Sequence, residues 1–194
     1  MTHTHAGMHG LFANADRYER FAPAVLGLLW RRVVEDVAAL DLPAGALVVD
    51  VGTGPGRLPV AIAARCPQLR VEGIDVEPAM VARARLRAAS AGEAGTRVRV
   101  DVGDVAALPY EDGAVAAVVS TMSQHHWPDR AAGFRELRRV LRPGGRLLVY
   151  DLRPLLRLAD GPARAAFEGR PVRSEPVRTS RLPVRVFARL SAAG

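Results

Sequence analysis

The chain has 194 residues, 49% of them hydrophobic, which suits one globular domain with a core of its own. No apolar stretch is long enough to cross a bilayer, and Met1-Thr2-His3-Thr4-His5 lacks a basic region followed by an apolar core, so neither a spanning helix nor a secretory signal is expected. The formal net charge is +7, and all 27 residues in the Lys+Arg count are arginine. Cys66 is the one cysteine, which excludes an internal disulfide and fits a reducing cytoplasm. Arginines are spread over most of the sequence and only 5% of residues are aromatic, so a nucleic-acid footprint is disfavoured. An anionic small substrate is a milder use of the same charge.

Residues 1–15 read as a flexible terminal segment, in which His3, His5 and His9 among small residues predict fraying rather than a metal site. A helix is expected over 16–41, with an apolar stripe of Phe21, Val25, Leu28, Leu29, Val33, Val37 and Leu40. Pro43-Ala44-Gly45 breaks the chain before a first strand centred on Leu47-Val48-Val49. A glycine-rich loop, Asp50-Val51-Gly52-Thr53-Gly54-Pro55-Gly56, leads into a second helix. Its apolar positions include Leu58, Ala61 and Ile62.

Val71 to Asp75 predicts a second strand, Pro78 to about Ala91 a helix, and the alternating Val98, Val100 and Val102 a third strand. Ala114 to Ser120 predicts a buried fourth strand. A helix capped near Asp129 follows, with Phe134, Leu137, Val140 and Leu141 inward, and then a fifth strand over Arg146 to Asp151. Strand and helix alternate through this stretch, so an α/β, doubly wound, mostly parallel sheet is expected. Val172 to Arg178 and the alternating Val184, Val186, Ala188 and Leu190 predict a closing antiparallel hairpin turning at Thr179-Ser180-Arg181.

Ligands in such sheets lie at the carboxyl ends of the strands. The glycine loop and the residues ending four strands, Asp75, Asp104, Ser120 and Asp151, should therefore gather at one rim. Three alternating glycines leave a backbone against which a ligand can lie. A dinucleotide loop spaces its glycines as Gly-x-Gly-x-x-Gly, but here the third comes one residue early, as Gly52-x-Gly54-x-Gly56. Asp50 beside a pyrophosphate would be repulsive by several kcal/mol if poorly solvated, roughly as two nearby charges are. A ligand carrying an ammonium group suits it better.

At these residues the chain resembles the class I S-adenosylmethionine-dependent methyltransferases, in particular the small-molecule group called methyltransferase type 11. The resemblance runs from about Leu47 to Pro154. It rests on Asp50 to Gly56, on Gly73-Ile74-Asp75, on Gly103-Asp104-Val105 with Leu108-Pro109-Tyr110-Glu111-Asp112, and on Leu141-Arg142-Pro143-Gly144-Gly145. It implies a Rossmann-like sheet of seven strands with a C-terminal antiparallel hairpin strand. The domain would span 16–194, with a core over 46–154 and a short lid and closing hairpin over 155–191.

It also implies S-adenosylmethionine as cofactor, with S-adenosylhomocysteine as product. Asp75, beside Val76, would accept from the ribose hydroxyls; a helix cap is its plain alternative. Asp104 would accept from the adenine amine and the Val105 amide would donate to the ring, beside Gly103. Gly52, Thr53, Gly54 and Gly56 would meet the methionyl part, with Asp50 near its ammonium and Ser120 close by. Tyr18, or Arg17, would reach the cofactor from the first helix.

Methyl transfer chiefly needs alignment and exclusion of water. The segment Ser120 to Asp129 leaves the sheet at the ligand rim, and His125 and His126 are its candidate bases, because imidazole titrates near neutral pH. Trp127 is expected to pack. Family members commonly carry a longer insertion after the fifth strand. Here only Leu155 to Pro171 remain, with room for a short helix near Pro162 to Phe167. That predicts a shallow, open pocket or one completed by a second subunit. The expectation is a cytoplasmic methyltransferase, monomer or homodimer, free of membranes and metals, moving a methyl group to an O, N or C atom of a small molecule. The alternatives are an RNA or protein methyltransferase, a non-catalytic cofactor-binding partner subunit, and a nicotinamide dehydrogenase, which the glycine spacing and Asp50 disfavour.

Overall fold

The computed structural model describes residues 15–179 and 185–194, with side chains from residue 26 onward. Helix α1 (Ala15–Ala38) leads to strand β1 (Leu47–Val51), helix α2 (Arg57–Arg65), strand β2 (Arg70–Asp75) and helix α3 (Pro78–Ala89). A short 3-10 turn (Gly92–Arg97) precedes strands β3 (Val98–Val102) and β4 (Val115–Thr121). Helix α4 (Arg130–Val140), strand β5 (Leu141–Leu152), helix α5 (Arg153–Ala166) and strands β6 (Val172–Pro176) and β7 (Phe187–Ala193) complete the described chain.

The strands form one sheet in the order β3-β2-β1-β4-β5-β7-β6. The first five run parallel, and β7 lies antiparallel between β5 and β6. Successive side chains of a strand point to opposite faces, and both faces here are covered. Val48 packs in the cluster built by Leu29, Val33, Val37 and Ile62; Val49 packs in the opposite one, with Phe134, Leu137, Leu156 and Phe167. That two-sided burial explains why β1 and β4 read as continuous apolar runs.

Local chemistry sets the helix ends. Pro78 occupies the first turn of α3, where its missing N–H costs nothing. The Asp129 carboxylate accepts from the Ala132 amide at 2.8 Å and caps α4, as its position before the apolar stripe predicts. On α1, Leu29, Val33 and Val37 are buried as expected, but Leu28 is 47% exposed, because it sits about 100° around the helix from Leu29. The helix ends at Ala38, short of 41, and Asp41 takes a left-handed φ of 49°. Phe21 and Val25 lie outside the residues with described side chains. The fifth strand starts at Leu141 rather than Arg146, with a register irregularity opposite Val115 and Ala117.

Two expectations for the C-terminal part are corrected. The lid segment is not a six-residue helix near Pro162: α5 starts at Arg153 directly after the strand and holds Pro162 inside it, fastened by buried Leu156, Ala159 and Ala163. In β7, Phe187 is buried as well as Ala188 and Leu190, because β7 is an interior strand covered on both faces; Val186, which precedes the strand, is 48% exposed. Val184 and the turn residues Ser180 and Arg181 lie outside the described residues.

A polar clasp joins the first helix to the sheet. Asp36 of α1 accepts from the Tyr150 hydroxyl at 2.7 Å, from Arg189 of β7 at 3.0 Å and from Arg32 at 2.9 Å. Arg189 also pairs with Glu175 of β6. Burial, with Asp36 alongside, holds the Tyr150 phenol well above its ordinary range, so it remains a donor.

Candidate active site

The parallel strands place Asp50, Asp75, Ser120 and Asp151 along one edge of the sheet, as the sequence pattern predicts. The loop after β1 is anchored from below, where the Gly52 and Thr53 amides both donate to the Ile74 carbonyl, at 2.8 and 3.1 Å. Gly52, Gly54 and Gly56 all have left-handed φ angles, of 73°, 55° and 75°. Only one of the three leaves room for a ligand. A Cβ on Gly52 would lie 1.9 Å from Ser123 Oγ, and one on Gly56 would lie 2.7 Å from the Ala84 Cβ. Gly54 faces open space, with nothing within 4 Å. The outer two glycines therefore serve the protein's own packing, and the middle one presents bare backbone. Gly103 likewise has a packing reason, since a Cβ there would lie 3.0 Å from Ile74.

Two carboxylates brace the loop, Asp75 at Gly54 and Asp50 at Thr53. Asp75 Oδ2 accepts the Gly54 amide at 2.7 Å and Asp75 Oδ1 accepts the Glu77 amide at 3.0 Å; Glu77, not Asp75, stands at the cap position of α3, so Asp75 braces the turn before the helix rather than capping it. Burial pushes the Asp75 carboxyl above its ordinary value, against the hydrogen bonds from Glu77 and Gly54. Asp50 is 2% exposed, and its Oδ2 accepts from the Thr53 hydroxyl at 2.7 Å. Its Oδ1 is buried with no partner. Burial pushes Asp50 up to about 7, the Thr53 hydrogen bond opposes this, and Asp75 adds repulsion. Ser120 Oγ and Thr121 Oγ1 are also buried without partners.

Farther along the edge, Val76 and Val102 are exposed apolar side chains at the ends of β2 and β3. Asp104 is exposed. It accepts the Ala106 amide at 2.9 Å, and Val105 packs inward. Tyr18 and Arg17 lie on α1 among residues whose side chains are not described. Sequence reasoning missed three residues. Trp30, Arg57 and Thr121 line a recess with Asp50, Gly52 and Thr53, and the Arg57 guanidinium lies 5.8 Å from the Trp30 ring centroid. The signals were present, since Trp30 adjoins the apolar stripe of α1 and Arg57 is the first residue after the glycine loop.

The two histidines after β4 have different settings. His125 Nδ1 lies 2.7 Å from Asp151 Oδ2, and the His125 side chain is 7% exposed. Asp151 is fully buried and also accepts from Gln124 Nε2 at 3.0 Å and from the Leu152 amide at 2.8 Å. Gln124 also donates to the Leu155 carbonyl. Arg130 grips the turn through the Gln124 and His125 carbonyls. His126 is exposed, its ring centroid 4.0 Å from that of His125. Trp127 packs on Phe134 as expected and donates to Ser123 Oγ at 3.1 Å. Met122 takes a left-handed φ of 54°, which turns the chain at this point.

The groups left open match S-adenosylmethionine. An unpartnered buried carboxylate oxygen suits an ammonium, the bare Gly54 backbone admits a close ligand, and exposed Val76 and Val102 suit a base. Among the described residues no group of His, Cys, Asp and Glu has the arrangement of a metal site.

Comparison with known proteins agrees with this geometry. A family described as a methyltransferase domain matches residues 48–145. A demethylmenaquinone methyltransferase of Thermus thermophilus is 38% identical over 127 residues, 66% of this chain and 56% of that protein. The methyltransferase GfsG of Streptomyces halstedii is 42% identical over 113 residues, 58% of this chain and 40% of that protein. The chain thus spans about half the length of the curated relatives it matches. In fold it is similar to a SAM-dependent methyltransferase from Aquifex aeolicus (TM-score 0.70, 20% identity, 93% of this chain and 98% of that one). It is equally similar to the [4+2]-cyclase SpnF (TM-score 0.70, 23% identity, 84% and 80%). A methyltransferase-type sheet thus also carries a protein named as a cyclase, and the fold alone does not assign the reaction. Sequence, strand order and the chemistry of the glycine loop together place this chain in the class I S-adenosylmethionine-dependent methyltransferase family.

Proposed function

We propose that the protein transfers a methyl group from S-adenosylmethionine to a small molecule whose acceptor site is activated by loss of an O–H proton. The observation that carries the cofactor half is Asp50, a buried carboxylate with one oxygen unpaired that lines a recess with Gly52, Thr53 and Arg57. Asp50 would hold the ammonium, Arg57 beside Trp30 the carboxylate, Asp75 the ribose hydroxyls, and Asp104 with the Val105 amide the adenine. When bound, the cofactor supplies an electrophilic methyl group on a sulfonium.

The acceptor half rests on His125. Asp151 occupies Nδ1, so Nε2 is the ring nitrogen left to take a proton, and the buried carboxylate stabilises the imidazolium that results. Thr121 and Trp30 would exclude water beside the reacting groups. Relatives named demethylmenaquinone methyltransferase and 27-O-demethylrifamycin SV methyltransferase support an acceptor of this kind.

A thermal-shift titration with S-adenosylmethionine, S-adenosylhomocysteine, NAD and NADP tests the cofactor. Ligand at about 100 times its Kd adds roughly 2.7 kcal/mol, on the order of 5–10 °C for this length. Shifts with the first two alone are expected, and a shift with NAD alone would refute the reading. Turnover on a hydroquinone, lost in His125→Ala with cofactor affinity intact, tests the acceptor half.

A further inference from the structure

We propose that the outward face of α5 docks the protein on an anionic bilayer surface. The arginines are spread through the chain, but the net charge is not. Residues 1–152 hold eighteen arginines against seventeen acids, whereas residues 153–194 hold nine against three.

Helix α5 gathers part of that excess on one side. Leu156, Ala159 and Ala163 face the core, and Arg153, Arg157, Leu158 and Arg164 are exposed. At 3.6 residues per turn the three arginines fall within about 40° of one another around the axis. Arg185 and Val186 extend the face at its start. There the Arg153 amide donates to the Val186 carbonyl at 3.0 Å and the Arg153 guanidinium reaches the Arg185 carbonyl at 3.5 Å. None of Arg153, Arg157, Arg164 and Arg185 has an ion pair among the described residues, whereas Arg65, Arg85 and Arg139 elsewhere pair with Glu35, Asp101 and Asp112. Asp160, the one acid on α5, lies within about 60° of the same arginines and accepts the Ser174 hydroxyl, which leaves three guanidinium groups against one carboxylate on this side.

The mixture of chemistry favours a bilayer over RNA. Leu158, 50% exposed, lies about 100° around the helix from Arg157 on the same outward side, and Val186, 48% exposed, adjoins Arg185. That combination suits the boundary between headgroups and acyl chains. Single-stranded RNA is held by stacking on aromatics, and Phe167 and Phe187 of this segment are buried. The contact is peripheral. Among the described residues no helix is long and apolar enough to span a membrane. It therefore departs from the expectation of a protein free of membranes without requiring a spanning segment. The face begins two residues past Asp151, so docking would set the rim of the candidate site against the surface where a lipophilic acceptor resides. Docking itself does not depend on the methyl-transfer reading.

The test is co-sedimentation of the full chain with vesicles of phosphatidylcholine alone and with 30% phosphatidylglycerol added (roughly the anionic range that attracts basic segments). Each arginine near an anionic surface is worth about fivefold in partitioning. Binding is expected only with phosphatidylglycerol and should fall steeply with salt. Arg157→Glu/Arg164→Glu should weaken it by more than about 25-fold. Arg70→Glu/Arg99→Glu, the same charge change on β2 and β3, should leave it within about twofold. No sedimentation of the wild type, equal loss in both double variants, or oligouridylate binding with the same sensitivity to the α5 variant would each overturn the proposal. S-adenosylmethionine binding in the same samples reports separately on the glycine loop and on the folding of each variant.

Discussion

Replacing Asp50 by asparagine separates what the buried carboxylate costs the fold from what it offers a cationic ligand. The folded carboxyl is pushed up to about 7 from an ordinary 3.8, mainly by burial. The gap of about 3 pH units corresponds to about 4 kcal/mol. Between those values the folded state keeps a proton that the unfolded chain releases. The contribution of Asp50 to stability is therefore greatest below about pH 4, falls as pH rises toward 7, and is level above that. The substituted amide carries no charge and removes the slope, while its side-chain oxygen can still accept from Thr53. At pH 8 the variant should be more stable by about 4 kcal/mol, roughly 10 °C in Tm.

Ligand binding should move the other way. An ammonium selects the ionised form, and at pH 6 only about a tenth of Asp50 is ionised. Affinity of the wild type for S-adenosylmethionine should thus fall about tenfold between pH 8 and pH 6. The variant should bind weakly at both. Thermal denaturation and titration calorimetry at pH 5.5, 6.5 and 7.5 measure both trends. A wild-type Tm that does not fall relative to the variant as pH rises, or a pH-independent Kd, would refute the argument.

Gly54→Val should leave a folded chain, destabilised by about 1–2 kcal/mol by its left-handed φ, and should abolish cofactor binding in the same titration. Gly56→Ala should instead lower Tm, because its Cβ meets Ala84 at 2.7 Å. Asp75→Ala should weaken cofactor binding by about 1.5–3 kcal/mol, and unchanged affinity in calorimetry would remove it from the ribose site. Asp151→Ala strands His125 Nδ1 and the Leu152 amide and leaves the Gln124 amide only the Leu155 carbonyl, and should destabilise by about 3 kcal/mol in urea denaturation.

The strand–helix rhythm, the loop at Asp50 to Gly56 and the Asp129 cap were legible because each depends on residues close in sequence. Helix α5 was not. The expected short helix near Pro162 to Phe167 sets Pro162 at its start, yet Pro154 falls in the first turn, and the stripe of Leu156, Ala159 and Ala163 holds the helix through Pro162. The inner face of β7 was half legible, because alternation marks a strand with one wet side and β7 is buried on both. The roles of Gly52 and Gly56 depend on Ser123 and Ala84, partners distant in the chain. Trp30 and Arg57 meet only once α1 has folded over the loop.

The strand order also dictates when the molecule can finish assembling. Strand β6 precedes β7 in the chain but reaches the sheet only through β7, so β5 keeps a bare edge until the later segment has paired with it. The Asp36 clasp closes contacts between residues 114 and 153 positions apart, which a searching chain makes slowly. The locking of α1 should therefore be a late event in refolding, reported by the environment of Trp30 after the parallel half of the sheet has formed. A chain halted before that step would present an unpaired β5 edge beside the unlocked helix, the arrangement most exposed to wrong partners.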